Sequence, residues 1–97
     1  MESDLETKLI KRTKLHGGMC RKVKAIQFTG WPDRSLYFPG GEHHLIETKY
    51  EDKGSLSARQ RLVIRQLRRL GVSVWVITTD EELNAFFNLH VKSPAIK

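Results

Sequence analysis

The run Gly30-Trp31-Pro32-Asp33-Arg34-Ser35-Leu36-Tyr37-Phe38-Pro39-Gly40-Gly41-Glu42-His43-His44-Leu45-Ile46-Glu47-Thr48-Lys49 decides how this chain folds. Two β-prone segments flank a Pro-Gly-Gly turn, which predicts a hairpin. If Pro39 to Gly41 form the loop, Phe38 faces Glu42, and counting back down the ladder sets Asp33 opposite Glu47. A loop one residue longer sets Asp33 opposite Thr48. Either register brings the two carboxylates to the open end of the hairpin, about 5 Å apart at Cβ if directly paired. Period-2 alternation then puts Lys49 on the same face as Glu47.

Like charges facing each other weaken a ladder. Two such carboxylates call for a cation, and Lys49 alone does not serve both. A hard divalent ion does, because Mg²⁺ takes oxygen ligands from one or two carboxylates and keeps several waters. The structural alternative is that Asp33 caps a turn after Pro32, with Glu47 and Lys49 on a solvated strand face. This stretch alone weighs the two readings equally.

Upstream, Ser3 and Glu6 have capping-box spacing, and Leu5, Leu9 and Ile10 form an apolar stripe. A helix is predicted to about Leu15, ending at Gly17-Gly18. Glu6 has two readings: it caps the Ser3 amide, or it faces inward toward the hairpin. Spacing favours the cap. Met19 to Gln27 reads as a strand, with Val23 and Ala25 on one face and Lys22, Lys24 and Ile26 on the other. Its lysines are a solvated face, or they hold phosphates beside the hairpin.

Downstream, residues 50–54 are a polar connection. Ser57 to Gln60 has the spacing of a second capping box, and a helix is predicted to about Leu70 with Gly71 as its stop. Val63, Ile64, Leu67 and Leu70 make its apolar stripe. Arg59, Arg61, Arg65, Arg68 and Arg69 crowd the other sides, as a solvated face or as contacts to DNA phosphates. Gln60 is the capping glutamine, and it also starts a helix just beyond the Glu47 strand. Val72 to Thr78 is nearly continuously apolar, as a buried strand is. The preceding helix makes it a crossover strand parallel to the Glu47 strand. Thr79 and Glu82 make a third capping box. The last helix turns Leu83, Phe86 and Phe87 inward and stops before Pro94, leaving 91–97 as a frayed tail. The order αβββαβα gives an α/β fold, a small mixed sheet flanked by helices.

Ninety-seven residues make one small domain, spanning 1–97. The formal charge of +6 points to a polyanionic partner, nucleic acid first and an anionic membrane second. With no long apolar run, neither a transmembrane helix nor a signal-peptide core is expected. The single cysteine, Cys20, excludes an internal disulfide and fits a reducing cytoplasm. His16, Cys20, His43 and His44 are possible zinc ligands, but none of their spacings suits a zinc finger. The adjacent His43 and His44 point to opposite faces of a strand.

Glu6, Gly17-Gly18, Gly30-Trp31-Pro32-Asp33-Arg34, Pro39-Gly40-Gly41, Glu47-Thr48-Lys49, Gln60, Leu67-Arg68 and Gly71 follow one another in an order and spacing that resemble the virus-type replication-repair nuclease (VRR-NUC) domain. That domain belongs to the PD-(D/E)XK superfamily, with its restriction-endonuclease-like core. The resemblance runs from about Ser3 to Glu82. Thr48 departs from the Leu or Val common inside the E-x-K, where only the backbone matters. The resemblance implies that Asp33, Glu47 and the Thr48 carbonyl hold Mg²⁺ or Mn²⁺. It implies that Lys49 positions or deprotonates the attacking water or steadies the scissile phosphate. Glu6 would complete the acidic site, and Gln60 would orient Lys49 or the phosphate.

Lys22, Lys24, Arg34, Arg61, Arg65 and Arg68 are the expected DNA contacts. Stand-alone domains of this type, typical of phages and prophages, look like small dimeric nucleases that cleave four-way junctions. The resemblance therefore implies a homodimeric endonuclease for branched DNA, in the host cytoplasm. A non-catalytic or weakly catalytic DNA-binding module, a flap- or nick-directed nuclease and a toxin-like RNase are the competing readings on the same fold. Intact Asp33, Glu47 and Lys49 argue for catalysis.

Overall fold

The structure is a computed structural model that describes residues 4–24, 28–49 and 55–95. The elements follow the predicted order: α1 (Asp4–Leu15), β1 (Met19–Lys22), β2 (Arg34–Phe38), β3 (Glu42–Thr48), α2 (Ala58–Arg69), β4 (Val74–Ile77) and α3 (Asp80–Leu89). The sheet runs β1-β2-β3-β4. The first two pairings are antiparallel, and β3 with β4 is parallel.

Pro39–Gly41 forms a tight 3₁₀ turn in which Gly40 and Gly41 take φ of +82° and +80°. Only glycine enters that region without strain, so the turn fixes the register. Phe38 pairs with Glu42 and Arg34 with Ile46. The next positions down the ladder are Asp33 and Glu47, so the shorter of the two predicted loops is the one formed.

Alternation along the strands divides the sheet into two faces. On one, Leu36, Phe38, Ile46 and Ile77 pack with Leu5 and Leu9 of α1 and Leu83, Phe86 and Phe87 of α3. On the other, Leu45 and Val74 pack with Val63, Ile64 and Leu67 of α2. Burying each such side chain contributes about 1.5–3 kcal/mol. The capping boxes at Ser57–Gln60 and Thr79–Glu82 form in full. The one expected at Ser3 lies outside the described residues, as do the polar connection at 50–54 and residues 25–27 of the strand predicted from Met19 to Gln27, which ends at Lys22.

Three expectations change. Leu70 is 80% exposed: it is the C-cap of α2, and Gly71, at φ +87°, turns the chain away before that residue can face the sheet. Residue Thr13 takes the buried place on α1, its hydroxyl donating to the Leu9 carbonyl at 2.8 Å. The strand around Trp75 is shorter than predicted and lies at the sheet's edge, so Trp75 and Val76 are half-buried while Val74 and Ile77 are buried. Its near-continuous apolar character comes from having α2 on one side and α3 on the other. Within the predicted tail, the backbone amides of Lys92 and Ser93 donate to the Glu42 carboxylate.

Candidate active site

Asp33 immediately precedes β2, and Glu47 lies near the end of β3, so both stand at one end of the sheet. The loop carrying Asp33 is held against α2. Gly30, at φ +85°, passes so close that a Cβ would lie 2.9 Å from the Arg59 carbonyl, and the Arg59 Nε donates to the Thr29 carbonyl at 3.3 Å. On its other side, the Asp33 carbonyl accepts from the Val23 amide at 2.8 Å, as an extension of the β1–β2 ladder. The backbone around Asp33 is thus fixed from both neighbours.

The side chains are less well served. Asp33 Oδ1 is buried with no hydrogen-bond partner among the described residues. Oδ2 has the Thr48 hydroxyl at a long 3.5 Å. Burial pushes the Asp33 carboxyl pKa up, the Glu6 charge pushes it further, and the Thr48 backbone and the Arg34 guanidinium pull it back only partly. Glu47 is 5% exposed. Burial and the facing Asp33 raise its pKa to about 7, against the pull of Lys49. Its Oε2 has two neighbours, Lys49 Nζ at 3.6 Å and Gln60 Nε2 at 3.3 Å. These are long contacts for a buried carboxylate.

Gln60 serves both roles that its position suggested. Its Oε1 accepts from the Ser57 amide at 2.9 Å as the helix cap, while Nε2 reaches Glu47. The first turn of α2 thereby becomes part of the site. Glu6 enters from α1 and receives Arg34 Nη2 at 2.9 Å.

Of the expected DNA contacts, Lys22, Lys24, Arg61, Arg65 and Arg68 are exposed. Two of the six have partners within the fold. Arg34 is 4% exposed and braces Glu6 inside the fold. Its place next to Asp33 on a strand sends its side chain to the α1 face. Arg68 folds over the sheet edge, where its Nε and Nη2 donate to the Val74 carbonyl at 3.1 and 2.8 Å. It closes an edge-strand acceptor that the sheet leaves open.

The possible zinc ligands do not converge. His43 and His44 take opposite faces: His43 stacks on Tyr37, and His44 bonds Glu42 Oε2 and Ser73 Oγ. Among the described residues no three His, Cys, Asp or Glu side chains cluster as a metal site. The two-carboxylate end of the sheet is a different donor set, suited to a hard cation that keeps its own waters. The orphaned Asp33 Oδ1 and the raised Glu47 pKa fit it: both lack positive charge that a divalent ion would supply. Sequence reasoning missed the row Arg21-Ser35 and the pair Tyr37-His43 on the same sheet face as the carboxylates. The i, i+2 spacing of Asp33, Ser35 and Tyr37 was the signal available.

No family model matches this sequence, and no curated protein does. The fold, however, is that of a VRR_NUC domain. A solved structure described as "VRR_NUC domain" superposes with a TM-score of 0.84 at 20% identity, covering 90% of this chain and 94% of that one.

Proposed function

We propose that this chain is a divalent-metal-dependent deoxyribonuclease that hydrolyses phosphodiester bonds in branched DNA. The observation that carries the proposal is the facing pair of a half-buried Asp33 and a buried Glu47, both with raised pKa values, and with one buried oxygen, Asp33 Oδ1, left unpartnered among the described residues. A purely structural pair would have its oxygens bonded. Asp33, Glu47 and the Thr48 carbonyl would hold Mg²⁺ or Mn²⁺. When bound, the ion supplies Lewis acidity toward water and toward a phosphoryl oxygen.

The protein's own groups do the rest. Lys49 Nζ, anchored at 3.6 Å from Glu47, presents its protons where a phosphate or an attacking water would sit. It steadies developing negative charge or positions the water. Gln60, tied to the helix cap, keeps Glu47 oriented. Arg34 holds Glu6 close enough to Asp33 to add to the negative potential there. Arg61 and Arg65 on α2, Lys22 at the end of β1 and Lys24 just beyond it offer exposed charge to the DNA backbone.

The finer reading is a homodimer acting on four-way junctions. The long axis of one copy is 40 Å, roughly one turn of duplex, so a single copy grips little DNA. A two-fold dimer is the commonest assembly of soluble proteins. It would offer two sites to a two-fold substrate. The test is a set of labelled linear, splayed, flapped, nicked and four-way DNAs, with Mg²⁺ or Mn²⁺ and with EDTA. Metal-dependent cleavage that favours the four-way DNA, and a light-scattering mass about twice the 11.2 kDa chain, are expected. A monomer that cuts linear and four-way DNA equally would remove the dimer and the junction preference. No cleavage of any DNA would remove the nuclease reading.

A further inference from the structure

The face of the sheet that carries Asp33 and Glu47 does not end at the carboxylates. The ladder register sets out its rows. Arg21, Ser35, Leu45 and Val74 lie across the strands one row in from the site, and Met19, Tyr37 and His43 one row further. α2 packs on Leu45 and Val74, at the β3–β4 side. Over β1 and β2 the same face is open among the described residues: Met19 is 50% exposed and Tyr37 48%. Between that open half and α2 runs a groove of about 580 Å³, lined by Arg21, Trp31, Tyr37, His43, Leu67 and Val72 among others.

Three features of this groove point to one kind of occupant. Its aromatic surface is set in place: the Tyr37 and His43 rings stack with centroids 4.7 Å apart and planes 24° from parallel, and His43 Nε2 is held by Ser35 Oγ at 2.8 Å. The rim is basic, with Arg21 and Lys22, and none of the lining residues is acidic. Burial, then the neighbouring His44, lowers the His43 pKa, so this ring is a neutral stacking surface at pH 7. The groove is also continuous with the site. Asp33, Ser35 and Tyr37 alternate along one face, which puts the stacked pair roughly 13 Å from Asp33, a run of a few nucleotides. Aromatic faces that take any base, beside cations that follow the backbone, are how proteins hold single strands. Duplex DNA keeps its bases stacked inside and cannot use the aromatic pair.

We propose that this groove binds a few unpaired nucleotides of the strand that enters the catalytic site, with bases on the Tyr37–His43 pair and Trp31 and phosphates on Arg21. The inference rests on the nuclease reading for the strand's destination. The groove's chemistry alone decides whether it binds single strands.

The experiment measures binding without cleavage, in EDTA, by anisotropy of a labelled short oligothymidine and of a labelled duplex hairpin. Wild type is compared with Tyr37→Ala, His43→Ala, Arg21→Gln and Tyr37→Phe, with each variant's melting temperature recorded. Tyr37→Ala and His43→Ala are expected to weaken oligothymidine binding roughly tenfold, Tyr37→Phe to retain it, and duplex affinity to stay within about twofold. Unchanged oligothymidine binding in the alanine variants overturns the proposal. So does an equal loss for the duplex, which would make the face a general phosphate surface. So does conversion of a dimer to a monomer by Tyr37→Ala with single-strand affinity intact, which would make the face a contact between copies. Because no cleavage is read, absence of nuclease activity would leave this result standing.

Discussion

β3 carries one glutamate at its first residue and another just before its last, and the two have opposite fates. Glu42, at the first end, is surrounded by donors. It takes His44 Nε2 at 2.8 Å and the backbone amides of Lys92 and Ser93 at 2.9 and 3.3 Å. Burial alone would raise its pKa, but these hydrogen bonds outweigh burial and lower it. His44 is itself fixed, because the Trp75 indole donates to Ser73 Oγ, leaving the Ser73 proton for His44 Nδ1. Glu47, near the other end, faces a second carboxylate, and its side-chain contacts among the described residues, to Lys49 and Gln60, are long; these and the Asp33 backbone do not offset burial and the Asp33 charge. A carboxylate that holds the fold together has its charge matched from within the chain. Carboxylates left with unmatched charge in a buried place cluster at functional sites, and this contrast is what the proposed function rests on.

The largest contrast should come from removing each in turn. Asp33→Ala or Glu47→Ala is expected to abolish DNA cleavage, leave DNA binding nearly unchanged, and hold or raise the melting temperature without metal, since repulsion is relieved. Glu42→Ala should do the reverse. It strands His44 and two amides, costing about 3 kcal/mol of stability, while the folded protein keeps its cleavage rate. Thermal melts beside a cleavage assay check both arms. Retained cleavage in either site variant would show that the site is misplaced.

The two ends should also answer pH in opposite senses. Glu47 is raised from 4.5 to about 7 on folding, so the folded state holds its proton more tightly. The associated stability is present below about pH 4.5 and is lost as pH rises through about 7. The full shift corresponds to on the order of 3 kcal/mol. Glu42 is lowered, so its contribution is present above about pH 4.5 and is lost as pH falls through its folded value. In the absence of metal, stability should decline between pH 5 and 8, and Glu47→Gln should flatten that decline. Denaturant melts across this range measure it. An unchanged slope in Glu47→Gln would assign the decline to another group.

The mapping of the site can be sharpened at its cation. Lys49→Ala should lose cleavage rate and keep Mn²⁺ binding by calorimetry, because an ammonium is not a metal ligand. Loss of the binding isotherm would contradict its assigned place. The smallest effect is expected on α2. Arg61→Gln with Arg65→Gln should weaken binding to every DNA alike and reduce the slope of log affinity against log salt by about 2. Arg68 is left out because it closes the β4 edge. An unchanged slope would mean that this helix faces solvent.

Much of this was legible in the chain. Pro39-Gly40-Gly41 fixed the hairpin because two consecutive residues need positive φ. The capping boxes at Ser57 and Thr79 marked helix starts because their hydrogen bonds are local. The facing of Asp33 and Glu47 follows from counting along a ladder. Arg34 was misread because exposure is not a local property. Its charge suggested a phosphate, but alternation beside Asp33 turned it toward α1, where Glu6 awaited it. The partner of Arg68, which stays exposed, was not legible either, since only the placement of β4 at the sheet edge creates the open Val74 carbonyl that it meets.

By itself, the sequence determined the element order, the hairpin turn and the meeting of the two carboxylates at its open end, all set by interactions within a few residues or along one ladder; the structure chose between the two registers that the turn allowed. Tertiary structure alone decided which charged groups have partners. Glu42 finds the amides of Lys92 and Ser93 about fifty residues away, while Asp33 Oδ1 finds none among the described residues. The same chemical group becomes a brace or a site according to the dielectric and donors that distant segments bring to it.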